Sequence, residues 1–301
     1  MTIRSSGRIG LVDIQNEFGG TEPISISEYY RGGSYTTANN TKVATSGLIS
    51  GSSFYGASKY APGHAIFYSS GSLILPTTSG TTLYFYVIGG GGGGGGGSSR
   101  ITYGYGAGGG GATGGNSYGS VSVIPGDSLY IIVGGGGSAG AARDGPYSGG
   151  SWGGTGGYSQ LRKNGGIVAT AMGGTGGAVA QFAWPPNSGV TPGGSIGAIS
   201  GGSAIQAGDA GQYGQNGIWW SVGGYGGRGF VPYWTGSGGA FYRGGYGSGG
   251  IGYYNGYGSA RNATSASGYG GGGSGGGAMV NANSSVFQGS WGQQGIVMVW
   301  W

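Results

Sequence analysis

The 301-residue chain contains no cysteine, which excludes a disulfide framework and thiolate chemistry and leaves the redox compartment unread. It contains one histidine, His64. A nucleophile–histidine relay therefore has a single candidate base, and that base opens a strand-like run, where an edge or surface histidine is the plainer reading. Acidic residues number seven, and four of them, Asp13, Glu17, Glu22 and Glu28, fall in the first sixty positions. Beyond those only Asp127, Asp144 and Asp209 remain, and Asp127 belongs to a turn sequence, whereas a glycosidase needs two carboxylates facing one cleft. Metal sites need more His, Asp or Glu than this, and no glycine run is followed by the Lys-Ser/Thr of a phosphate loop. The expectation is a non-enzyme without cofactor or metal. No run approaches the roughly 20 apolar residues of a membrane span. The polar opening Met1-Thr2-Ile3-Arg4-Ser5-Ser6 lacks the apolar core of a signal peptide, so synthesis in the cytoplasm without one, and no membrane insertion, are expected. The net charge of +5 is spread from Arg4 to Arg261 with only Arg162-Lys163 adjacent, which is not the clustered stripe of a nucleic-acid binder.

Glycine is what the chain has most of, 86 residues, with no strict collagen period. Such a composition usually marks disorder, but aromatics reach 13% and charge only 6%, the reverse of a disordered segment. The apolar runs are strand-length, and each passes directly into glycine. Leu83-Tyr84-Phe85-Tyr86-Val87-Ile88 precedes nine consecutive glycines, 89–97. Leu129-Tyr130-Ile131-Ile132-Val133 precedes 134–137, and Ile167-Val168-Ala169-Thr170-Ala171-Met172 precedes 173–177. The spacing predicts eight strands: 64–68 and 72–76 as a hairpin around Ser69-Ser70-Gly71, then 81–88, 118–124, 129–133, 158–162, 167–172 and 295–301. Pro125-Gly126-Asp127-Ser128 and Asn164-Gly165 supply turns. The last strand, Ile296-Val297-Met298-Val299-Trp300, is expected beside an early one. The fold class read from this is mainly β: a small N-terminal module over 1–60, then a glycine-rich β domain over 61–301. In that domain a β-sandwich scaffold, about 64–172 and 295–301, carries a glycine- and aromatic-rich insertion, about 173–294.

More than a hundred structureless residues inside a compact domain would be anomalous. Glycine offers a regular alternative, the extended threefold helix rising about 3.1 Å per residue without internal hydrogen bonds. Segments of this polyglycine-II type can bond side by side because no Cβ keeps them apart. The lateral bonds must offset glycine's large ordering entropy. Residues 106–115, 149–157, 223–229, 236–250 and 268–277 are each expected to supply such a rod. Aromatic residues sit between the glycine segments. They read equally as wedges forming a core between rods or as binding anchors at loop tips.

The first sixty residues have a different texture. Leu11, Ile14 and Phe18 share one face of a helix, which Gly19-Gly20 ends. Pro23 to Tyr30 reads equally as a strand or a second helical turn, and Phe54-Tyr55-Gly56 closes a third unit. "SSGRIGLVDIQNEFGG", "PISISEYYRGG" and "TSGLISGSSFYGAS" together resemble a short module of tailed-phage virion proteins, over about residues 4–58. In this chain Ser50-Gly51-Ser52 departs slightly from its spacing. That resemblance implies docking on the virion through Leu11, Ile14, Phe18, Tyr29, Tyr30, Phe54 and Tyr55. Residues 65–301, with strands entering polyglycine and aromatic segments between glycine runs, are similar to the glycine-rich receptor-binding adhesins of T-even-type phage tail fibres. The implied function is a virion tail protein that binds other phage tail proteins and a bacterial surface protein or glycan. It would act as a homo-oligomer or as the tip of an oligomeric fibre. The alternative is a structural tail or baseplate component. Residues 1–60 do not resemble that adhesin's attachment segment, so the position on the tail stays open. Within 180–260 the aromatics are densest and charge is sparse. There Trp184, Trp219, Trp220, Tyr233, Trp234 and Tyr242 are the candidate receptor contacts, with Arg228 and Arg243 beside any anionic group.

Overall fold

A computed structural model describes residues 3–20, 22–36, 40–59, 63–76, 82–100, 104–144, 150–180, 190–191, 194, 197–201, 203–204, 209–212, 214–215, 220–235, 238–243, 251–253, 262–279 and 285–301. It is mainly β. No helix among these residues is long and apolar enough to cross a membrane.

The N-terminal residues gather around their own apolar cluster. The helix Leu11–Phe18 starts with the Gly10 N–H donating to the Asp13 carboxylate at 2.8 Å and stops at Gly19 and Gly20, both with positive φ. Short 3₁₀ turns follow at Ile26–Tyr29 and Gly51–Phe54. Ile14, Phe18, Tyr29, Val43 and Phe54 are buried together, with the Phe18, Tyr29 and Phe54 rings 6.1 to 6.4 Å apart. The Tyr29 hydroxyl donates to Gly19 O at 2.7 Å. Burial first, then the nearby Glu28, pushes the Tyr29 phenol pKa up. Leu11 does not complete the expected face. It is 41% exposed, because the first turn of this eight-residue helix projects past the cluster.

The scaffold consists of ten strands: β1 His64–Phe67, β2 Gly71–Ile74, β3 Thr82–Ile88, β4 Asn116–Ser122, β5 Ser128–Ile132, β6 Ser159–Lys163, β7 Gly166–Ala171, β8 Ile199–Ser200, β9 Ser203–Ala204 and β10 Ile296–Trp300. They form two five-stranded antiparallel sheets, ordered β1-β10-β3-β4-β9 and β8-β7-β6-β5-β2. The C-terminal strand lies between β1 and β3, with His64 opposite Trp300 and Val299 opposite Phe85. The expected hairpin of β1 and β2 does not form. The two strands join different sheets, β1 pairing with β10 and β2 with β5. Ser70 helps fix that crossing, its hydroxyl accepting from Val133 N at 3.0 Å.

Alternation along each strand places one apolar set inward. Leu83, Phe85, Val87, Val297 and Val299 from the first sheet meet Leu129, Ile131, Leu161, Ala169 and Ala171 from the second in one buried cluster. Each Leu, Ile, Val or Phe in it contributes about 1.5–3 kcal/mol on burial. Two turns lock the end of this core. Asn164 (φ 48) and Gly165 (φ 84) make the primed turn between β6 and β7, as Asn-Gly predicts. The Asn164 side chain also accepts from Ser128 N at 2.9 Å and donates to Asp127 at 2.6 Å. Asp127 in turn accepts from Ile124 N at 2.9 Å and faces Lys163 at 3.5 Å.

The glycine segments extend from one end of this scaffold. Along 89–97 the N–H groups are donated in rotation to three segments: from Gly89, Gly92 and Gly95 to Gly115, Ala112 and Gly109; from Gly90, Gly93 and Gly96 to Gly157, Gly154 and Ser151; from Gly91, Gly94 and Gly97 to Gln293, Ser290 and Phe287. These nine bonds measure 2.8 to 3.2 Å. The carbonyls accept from three more segments, through Gly137 and Gly140, through Gly174, Gly177 and Ala180, and through Gly273 and Gly276. Six neighbours thus surround one buried glycine run, the three receiving its N–H groups antiparallel and the three donating to it parallel. Segment 107–115 is a second hub, bonded to 89–97, 172–178, 270–277, 209–212 and 224–227 and to Gly194 and Gly197. A Cβ at any of the nine glycines 89–97 would lie under 3.0 Å from a neighbouring carbonyl. That close approach is why no other residue stands there.

Within the expected rod over 236–250, the described part is different. Gly238–Arg243 pairs with Phe230–Thr235 as an antiparallel hairpin, because Phe241, Tyr242, Tyr233 and Trp234 carry bulk that a glycine-to-glycine approach excludes.

Candidate binding surface on the glycine lattice

Three glycine segments form one lateral side of the lattice. Segment 134–141 lies between 150–157 and 287–295, accepting from Gly157, Gly154 and Ser151 on one side and from Gly295, Gly292 and Gly289 on the other at 2.8 to 3.0 Å. Because bonding direction rotates through three residues, every third residue faces outward. The outward positions, all exposed, are Trp152, Thr155 and Tyr158 on one flank, Gly135, Ser138 and Ala141 in the middle, and Gln288, Trp291 and Gln294 on the other flank. Trp152 is 61% exposed and Trp291 63%, unusual exposures for such large apolar side chains. The nine outward residues include no carboxylate, ammonium or guanidinium. The surface therefore offers indole faces, hydroxyls and amides on a backbone held by lateral bonds. Chemically these nine can stack and hydrogen-bond, and none of them carries a charge.

A second aromatic array lies on the outer face of the first sheet. Tyr84 stacks against Trp300 at 5.7 Å, Trp300 meets Tyr86 at 5.2 Å, and Tyr86 meets Tyr118 at 5.9 Å. These are the cross-strand neighbours that register dictates. The other end of that face is covered. Phe230 is buried with Ile88 and Ile296, and the strand Gly238–Arg243 runs against β10. Tyr269 packs on the same cluster and meets Tyr68 at 5.6 Å; its phenol pKa is raised by burial and then by Tyr68.

The structure distributes the sequence-derived candidates unevenly. Trp184 and Trp219 lie outside the described residues. Trp220, Tyr233, Trp234, Tyr242 and Arg243 are placed by backbone alone: Trp220 in the strand Trp220–Val222, the others in the hairpin of Phe230–Thr235 with Gly238–Arg243. The candidates Tyr233, Trp234 and Tyr242 thus belong to a paired hairpin rather than to loop tips, and Phe230 at its start is built into a core. Arg228 makes an ion pair with Asp209 at 2.8 Å. Of the N-terminal candidates, Ile14, Phe18, Tyr29 and Phe54 are buried in the module's core, whereas Leu11 is exposed and Tyr30 and Tyr55 are half-buried. Tyr30 donates to Gly47 O and Tyr55 to Gly7 O. Sequence reasoning did not single out Trp291. Its signal was the spacing Gln288, Trp291, Gln294, which carries meaning only once a threefold period is known.

Fold and surface together define a β-rich protein with a hydrogen-bonded glycine lattice that displays aromatic side chains. No protein-family model matches the chain, and no curated protein matches it in sequence.

Proposed function

We propose that this chain is a non-enzymatic phage tail-fibre or adhesin protein. It joins the virion through residues 1–60 and recognises a host-surface receptor through aromatic side chains carried on the glycine domain. The observation that carries this reading is the side-chain-free hub, nine glycines bonded to six neighbours. A lattice so tightly specified inside leaves its outward positions free to vary, which suits recognition of a changing receptor, as binding sites on rigid scaffolds do. We read the fold as a β-sandwich with inserted polyglycine-II segments. The apolar cluster shared by both sheets and the three-residue rotation of bonding direction support that reading. The separate cluster formed only by residues between Ile3 and Ala57 supports an N-terminal unit of its own.

The test is adsorption. Purified full-length protein should bind host cells and compete with phage for attachment. A chain lacking residues 1–60 should compete equally but fail to join virions. Failure of the full chain to compete, or normal incorporation of the shortened one, overturns the assignment.

A further inference from the structure

We infer that this lateral face of the glycine lattice, between Trp152 and Trp291, binds a neutral glycan. This rests on the adhesin reading and names the chemistry of its receptor. The two tryptophans stand on opposite flanks of segment 134–141, which is bonded to both flanking segments. Register sets them about two residues apart along the axis, roughly 6 Å at about 3.1 Å per residue. Between and beside them lie Ser138, Thr155, Gln288 and Gln294, all exposed. Indole faces stack on the C–H face of a pyranose, while hydroxyls and carboxamides exchange hydrogen bonds with sugar hydroxyls in both directions. No charged side chain belongs to this set, which matches an uncharged glycan and leaves an acidic one without a counter-ion. Backbone polarity adds to the fit. Among the described residues no group donates to or accepts from the main chain of Gly136 and Ala139. Both are partly solvent-exposed, so their N–H and C=O groups can bond a ligand lying along the segment. Outward residues recur every three positions, about 9 Å, and the site therefore suits an extended chain of sugars more than a single ring.

The experiment uses the full chain on a printed array of neutral and acidic oligosaccharides, with host-cell adsorption measured before and after periodate oxidation of the cells. The variants are Trp152→Ala, Trp291→Ala, their combination, and Trp291→Phe. Binding to neutral oligosaccharides is expected to fall at least about tenfold in the combined variant. Most of it should return in Trp291→Phe, which keeps a stacking ring. Melting temperatures should stay unchanged, because both side chains are mostly solvated. Periodate should abolish adsorption of the unaltered protein.

Array binding that is absent, confined to acidic sugars, or unchanged in the combined variant overturns the inference. Adsorption that depends on both tryptophans but survives periodate also overturns it, pointing to a protein receptor, and leaves the adhesin reading standing. A concentration-dependent dimer in sedimentation, lost in the combined variant, would show that a second copy occupies this face, and the inference fails. Neutral-glycan binding without any cell adsorption supports the inference while removing the adhesin reading.

Discussion

Replacing Gly93 by alanine puts a methyl group where a neighbouring backbone already stands. Gly93 is buried at the middle of the hub, donating to Gly154 O at 2.8 Å and accepting from Gly177 N at 2.9 Å. An added Cβ points at Ser138 O, well inside contact. Backbone cannot swing aside as a side chain can, so segment 134–141 must move outward. Overpacking of this kind costs about 1–3 kcal/mol. The displacement also stretches the bonds Gly137 to Gly91 and Gly140 to Gly94, both 2.8 Å, at about 1 kcal/mol each. The total is about 3–5 kcal/mol, or a melting temperature lowered by roughly 6–20 °C at about 2–4 °C per kcal/mol. Gly135→Ala is the matched control. It lies on the adjacent segment, exposed, and a methyl group added there meets nothing within 4 Å. There the loss of unfolded-state freedom should stabilise by up to about 1 kcal/mol. Thermal unfolding of the two variants checks the difference. Equal losses, or an unaffected Gly93→Ala, would refute the claim that lateral close approach is what demands glycine in 89–97.

Asn164→Ala should destabilise by about 1–3 kcal/mol in urea unfolding, since it leaves Ser128 N without its acceptor and forces alanine to positive φ; Asn164→Gly, which relieves only the backbone, should fall between. Asp127 gives a pH prediction. The Ile124 N–H first, then the Asn164 side chain, hold its carboxyl pKa below the ordinary range. Its stabilising contribution is therefore present above the unfolded value of about 3.9 and lost as pH falls through the depressed folded value. Asp127→Asn should flatten the fall of melting temperature on acidification below about pH 4, and parallel curves for both proteins would contradict this. Removal of 296–301 takes a strand paired on both sides, and should leave no soluble, cooperatively melting protein.

Much of the scaffold was legible because strands here are simple. Leu83, Phe85 and Val87 alternate with Tyr84 and Tyr86, and the alternation alone says which face is buried. Asn164-Gly165 carries its own turn geometry. The last strand had to be interior, since Ile296, Val297, Met298 and Val299 leave no polar face for solvent. What failed was partner choice. Nothing in Tyr68-Ser69-Ser70 tells a hairpin turn from a crossing between sheets, because both need the same small polar residues. In the aromatic region local bulk outweighed glycine content, so Gly238-Gly239-Ala240 entered a hairpin rather than a rod. The candidate surface was the least legible part. Trp152 is visible in the sequence as one aromatic between glycine segments, but Trp291 stands alone among small residues, and only the threefold period brings the two to one surface.

The same threefold rotation that builds the lattice also decides where sequence is free. The hub 89–97 has glycine at every position, because a Cβ at each would meet a neighbouring carbonyl, whereas the second hub admits Ala107, Ala112 and Thr113, all fully buried. A segment at the rim meets neighbours in fewer directions, so one residue in three can carry a side chain without disturbing a bond. Gly150-Ser151-Trp152-Gly153-Gly154-Thr155-Gly156-Gly157-Tyr158 follows that rule apart from Ser151, whose backbone still bonds Gly96 and Ala141, and Met172-Gly173-Gly174-Thr175-Gly176-Gly177 follows it with Met172 and Thr175 exposed and the glycines turned inward. Substitution at the outward third changes surface chemistry and leaves the lateral bonds intact; substitution of an inward glycine whose Cβ would meet a neighbouring carbonyl, as at Gly153 or Gly176, disturbs them. A receptor-binding surface built this way can exchange its contact residues one at a time while the backbone presenting them stays fixed. The spacing of those contacts is set by the lattice, so variation can alter which ligand groups are met but not the distance between them.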